Sequence, residues 1–160
     1  MLPTLALGLW AVQLGGDELW RVPLLFVAAA LAGAAGAFLA LQLPGGATLL
    51  PACMLALGAC AALAARLPLA ICAPLAIVAG LAVGNLTAIE ARAAVQRPLL
   101  YLSGVPVGLG IVLIYIVGHL PGFIERLPWL RIASRVVGSW IAATGLLVLV
   151  LALAAPRPPP

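Results

Sequence analysis

The chain has 160 residues, 66% of them hydrophobic and only 8% charged, with a net charge of +4. No water-soluble domain of this size has so apolar a surface, so the composition excludes a soluble fold. All eight cations are Arg, scattered over the gaps between apolar runs. They form no basic stripe and none is interleaved with aromatics in a soluble face, which argues against a nucleic-acid-binding surface.

A bilayer core about 30 Å thick needs roughly 20 apolar residues per helix. The first apolar run, 2–14, falls short of that length. It lacks the basic start of a cleavable signal peptide and ends in Gln13 and the Gly15-Gly16 turn. It reads as a short first segment. Trp20 and Arg21 follow, the aromatic and cationic pair that anchors at headgroups, and Pro23 fits a first helical turn. Five spans then follow, at 22–43, 47–65, 67–88, 99–120 and 132–154. Pro44-Gly45-Gly46 and Arg66-Leu67-Pro68 are tight links that force antiparallel neighbours. The most polar stretch is Glu90 to Pro98. The stretch 121–131 mixes Phe123, Ile124, Leu127, Trp129 and Leu130 with Glu125, Arg126 and Arg131, and is expected to lie as a loop along the interface. The tail Pro156-Arg157-Pro158-Pro159-Pro160 ends the last span.

These runs are continuously apolar, whereas barrel strands alternate apolar and polar residues. In lipid the backbone must satisfy itself, so the runs become helices. The expected fold is all-α: a polytopic integral membrane bundle of about six segments forming a single transmembrane domain over 1–160. With six spans, Arg21, Arg66, Arg126, Arg131 and Arg135 fall on one side and Arg92, Arg97 and Arg157 on the other. The positive-inside rule then puts both termini in the periplasm of a bacterial inner membrane. Arg without Lys, amid Ala and Leu, points to a GC-rich genome.

Small residues recur at helix-packing spacing. Ala29, Gly33 and Ala37 share a face, with Ala32, Gly36 and Ala40 beside it. Gly80 with Gly84, and Gly104 with Gly108, form GxxxG pairs. Such residues let membrane helices approach closely. Pro51, Pro74 and Pro106 lie within spans and should kink them. Cys53, Cys60 and Cys72 read as small buried hydrophobes.

Ionisable residues inside a membrane are functional candidates by default. Here they are few. Asn85, Thr87 and Glu90 lie at the end of the fourth of the six segments, and His119 lies one turn after Tyr115. A metal site needs several converging ligands, so these four are weak candidates and no metal or cofactor is expected. No nucleophile–base pair or phosphate-binding loop suggests an enzyme.

The stretch Gly8-Leu9-Trp10-Ala11-Val12-Gln13-Leu14-Gly15-Gly16, with Leu19-Trp20 and Pro23-Leu24-Leu25-Phe26, resembles the HupE/UreJ family. The resemblance runs on through Leu43-Pro44-Gly45 and Arg66-Leu67-Pro68-Leu69-Ala70. It implies a small membrane protein associated with hydrogenase or urease gene sets, regarded as a nickel or cobalt permease. The family carries two histidine signatures. One, a His and then an Asp-His pair, would fall just before Met1 by this register. The other matches Val83-Gly84-Asn85-Leu86-Thr87-Ala88-Ile89-Glu90. Gly84 and Glu90 agree, but Val83, Asn85 and Thr87 stand where the family has His. A start further upstream would restore the first signature and leave the second empty. The favoured expectation is a divergent relative that kept the scaffold and lost metal transport. It would act as a non-catalytic structural or accessory subunit among lipid and other membrane subunits. The alternative is a nickel/cobalt or other small-solute permease, with a mid-membrane cavity lined by Asn85, Thr87, Glu90 and Tyr115 or His119.

Overall fold

A computed structural model describes residues 2–14, 18–39, 46–64, 67–94, 98–127 and 129–154. Within those ranges the side chains at 18–19, 38, 46–47, 92–94, 98–107 and 123–126 are not described. The described residues form six helices and no strand: α1 (Leu2–Leu14), α2 (Glu18–Phe38), α3 (Gly46–Leu63), α4 (Leu69–Ala94), α5 (Pro98–Arg126) and α6 (Trp129–Ala154). Three windows are long and apolar enough to cross a membrane: Trp20–Ala37, Leu69–Ala91 and Trp129–Ala154. Leu2–Leu14, Thr48–Leu63 and Gly108–Gly122 are shorter apolar helical stretches.

Three helix boundaries depart from the sequence expectation: α4 runs to Ala94 rather than ending at 88, and α2 and α5 differ as follows. The second element runs from Glu18 to Phe38 rather than over 22–43. The charged positions 18 and 21 mark where the helix leaves the apolar phase, not where helical hydrogen bonding stops. Pro23 therefore sits inside α2 rather than in its first turn. The stretch 121–126, expected as an interfacial loop, continues α5 to Arg126. Pro121 costs the ladder one hydrogen bond and crowds the carbonyl one turn back, yet the helix continues past it and ends at Arg126.

Association in lipid is driven by close packing rather than by water exclusion. Two helix pairs dominate, α2 with α4 and α3 with α6. Glycine makes both contacts. A Cβ on Gly33 would strike the Leu81 backbone of α4, and one on Gly80 or Gly84 would strike Phe26 or Ala30 of α2. Across the second pair, a Cβ on Gly58 would lie 2.5 Å from the Ala142 nitrogen. One on Gly138 would lie 2.8 Å from the Ala62 nitrogen, and one on Gly145 2.6 Å from that of Leu55. No real Cβ survives such distances, so these crossings require glycine.

Among the other glycines at expected packing positions, Gly36 is half-buried. Gly104 lies among the residues whose side chains are not described. Gly108 does not pack, because a Cβ there meets nothing within 4 Å. It stands on the outer side of α5, away from the buried Leu109, Leu113 and Val117.

The short α1 sits at the centre. It touches α2, α3, α5 and α6, and Ala6, Leu7, Trp10 and Ala11 are wholly buried. A helix that is apolar on every side belongs in an interior, and α1 is the helix most enclosed by its neighbours. By contrast α6 buries one narrow stripe, Ser134, Gly138, Ile141 and Gly145, at spacings of 4, 3 and 4. Its opposite face, including Ile132, Trp140, Leu147, Leu151 and Leu153, is open.

Candidate functional site

The polar groups within the bundle are few, and most are tied to a helix. The hydroxyl of Ser139 donates to the Val136 carbonyl at 2.7 Å and that of Thr144 to the Trp140 carbonyl at 2.9 Å. Such local bonds let exposed hydroxyls sit against lipid without an orphaned donor. Arg135 Nε donates to the Ala62 carbonyl at 2.9 Å and closes the C-terminal turn of α3, where a cation is favoured. That turn ends on Ala64 at φ 49°. Gln13 of α1 reaches Ser134 of α6 at 3.4 Å, and Ser134 donates to the Arg131 carbonyl at 3.0 Å.

The four candidate residues separate into different environments. Asn85 is 3% exposed and faces α2, where its Nδ2 donates to the Gly33 carbonyl at 3.5 Å. Thr87 turns its hydroxyl back on its own helix, donating to the Val83 carbonyl at 2.6 Å. Val83 is buried in the main core cluster. Glu90 is exposed near the C-terminal end of α4. The Arg92 side chain and Arg97, the cations nearest in sequence, fall outside the described side chains and residues. His119 is exposed and stacks on Tyr115, ring centroids 4.5 Å apart and planes 18° apart.

The structure does not bring His119 to the other three. Glu90 lies one turn before the end of α4, and α5 starts shortly after. His119 lies about 30 Å further along α5, at the opposite end of the bundle. Residues 85, 87 and 90 themselves spread around α4. Among the described residues no group of three His, Cys, Asp or Glu side chains could hold a metal ion. Cys53, Cys60 and Cys72 are free thiols on α3 and α4, and the Cys72 thiol donates to the Leu67 carbonyl at 3.2 Å.

Sequence reasoning missed Gly58, Gly138 and Gly145, and with them the α3–α6 contact. The signal was a heptad interval between two small residues, longer than a GxxxG pair. It also missed two buried oxygens without a hydrogen-bond partner, Thr4 Oγ1 and Gln13 Oε1, both on the central α1.

Taken together, helices closed by glycine and polar side chains turned onto backbone carbonyls define an all-helical membrane protein. Its family follows from comparison with known proteins: the chain belongs to the HupE/UreJ family, whose model, HupE / UreJ protein, matches residues 1–148. Members are membrane accessory or nickel/cobalt transport proteins rather than catalysts. Neither a curated protein nor a solved structure matches the chain.

Proposed function

We propose that this protein keeps the HupE/UreJ scaffold without metal transport and serves as a non-catalytic accessory subunit of a larger complex. Its place is the bacterial inner membrane, crossed several times, with both termini in the periplasm. One observation carries the reading. At the positions where the resemblance puts a histidine cluster, the side chains are engaged in holding the bundle. Val83 packs in the core, Asn85 fastens α4 to α2, and Thr87 bonds its own helix. Neutral amide and hydroxyl oxygens are weak nickel ligands beside imidazole, and a fold outlives the site it once carried. The wide open face of α6 leaves apolar surface for a neighbouring subunit.

The family match over residues 1–148 favours a second reading, a nickel or cobalt permease using other ligands. Uptake separates the two. Expressed in a bacterial strain lacking its own nickel permeases, the protein should leave radioactive nickel uptake at the vector level. Saturable uptake, reduced further by Glu90→Gln, would establish transport instead.

A further inference from the structure

The glycine contacts fix how the helices lie against one another. On α4, Gly80 faces Phe26 and Ala30 of α2, and Gly84 faces Ala30 and Ala34, so that pair runs parallel. On α6, Gly138 faces Ala61 and Ala62 of α3, and Gly145 faces Met54 and Leu55, so this pair runs antiparallel. The Trp20 ring near the start of α2 reaches Gly118 of α5, Gln13 reaches Ser134, and Arg135 is fastened to Ala62. The starts of α2, α4 and α6 and the ends of α1, α3 and α5 therefore share one end of the bundle. Packing is concentrated at that end. The main core cluster has buried members on every helix, but on α2 they go no further than Phe26, on α4 no further than Val83 and on α6 no further than Ile141. Toward the other end a separate cluster, Ala34, Ala37 and Ala88, joins α2 to α4 alone. On α6 no residue from Leu146 to Ala154 is buried. The connections carry the same bias. Residues 64–68 join α3 to α4 and 127–128 join α5 to α6, both at the packed end. At the far end the α3–α6 pair is joined to the rest by the longer link 39–45.

We infer that the bundle pivots at this packed end: α3 and α6 swing as one body against α2 and α4, and the gap between the far halves of α4 and α6 varies. Within each pair glycine sets backbone on backbone, so a pair parts only by giving up its whole interface. Between the pairs the shared core covers one half of the length, and a region with few buried contacts opens at low cost. Two rigid bodies joined by short links at one end form a hinge. The inference stands whether or not the protein transports metal.

The test is double electron–electron resonance on the full chain in nanodiscs. Spin labels are carried on a ketone-bearing amino acid, which leaves Cys53, Cys60 and Cys72 native, and every labelled position is exposed. The far pair, Ile89 on α4 with Leu151 on α6, should give a distance distribution about twice as broad as the pivot pair, Ile71 with Ile132, or broader. Two pairs within one body, Leu24 with Ile89 and Leu63 with Leu151, should be as narrow as the pivot pair. A far pair as narrow as the others overturns the inference. A Leu63–Leu151 distribution as broad as the far pair also overturns it, because the end of α6 would then move alone. Equal breadth between Leu24 and Ile89 overturns it in the same way, by placing the motion in the end of α4.

Discussion

The Asn85 side chain on α4 donates to the Gly33 backbone carbonyl on α2, across 3.5 Å in a buried setting. The two residues act as one device. A Cβ on Gly33 would strike α4 at Leu81, so the missing side chain lets the carbonyl come within reach of the amide. At the position where the resemblance implies a histidine, the Asn85 side chain fastens two helices. An imidazole there would have to enter where α2 and α4 approach most closely.

Replacing Asn85 by Ala removes that bond and leaves a buried carbonyl that already serves its own helix. Polar contacts between membrane helices contribute about 0.6 kcal/mol on average and rarely more than about 1.7 kcal/mol. Asn85→Ala should therefore lower stability by about 1 kcal/mol in a detergent unfolding titration. A loss of several kcal/mol would mean that Asn85 also supports something beyond this contact.

Glycine positions separate by what they face. Gly84→Ala would put a methyl onto the Ala30 carbonyl, and overpacking of this kind costs about 1–3 kcal/mol. Gly108 has open space around it, so Gly108→Ala should gain about 0.5–1 kcal/mol from helix propensity alone. Opposite signs are expected in the same unfolding assay. Two losses of equal size would contradict the packing described for α5.

Ala64 ends α3 at φ 49°, a conformation that costs a residue with a Cβ about 1–2 kcal/mol. The turn accepts it because Ala64 N–H donates to the Ala61 carbonyl at 3.3 Å. Ala64→Gly should raise stability by up to about 1 kcal/mol, read as a higher melting temperature in detergent. No change would mean that the unfolded-state freedom of glycine cancels the relief.

The helical fold was legible because lipid leaves the backbone few options, and continuous Ala/Leu runs declare themselves. Gly33, Gly80 and Gly84 were legible as packing positions, but that they join α2 to α4 was not; the tight link at Pro44-Gly45-Gly46 pointed instead to the next helix in the chain, and α2 packs chiefly on α4. The central place of α1 was not. Inside a membrane, buried and lipid-facing positions are equally apolar, so Trp10 and Ile132 carry the same sequence signal at opposite exposures. The α3–α6 crossing escaped for a related reason: Gly138 and Gly145 are seven apart, and no polar face marks them. The candidate set of Asn85, Thr87, Glu90 and His119 looked plausible only as residue types. Helix length alone then separates Glu90 from His119 by about 25 Å along the bundle.

That separation gives a further prediction. Glu90 and His119 are both exposed at opposite ends of the bundle, so they do not act as a ligand pair. His119→Ala gives up one exposed ring contact with Tyr115 and should cost less than about 1 kcal/mol. Nickel and cobalt content of the purified protein should be the same for wild type, Glu90→Gln and His119→Ala. A drop in either variant would locate a ligand.

The central claim concerns what the scaffold does now. Its most direct test is purification of tagged protein from its native membrane in mild detergent. Co-purifying proteins would be identified by mass spectrometry, and nickel and cobalt measured in the same sample. The account predicts a larger complex of fixed stoichiometry, with no nickel or cobalt held by this chain. A lone protein or homo-oligomer that retains either metal would contradict it and show that the transporter scaffold still works.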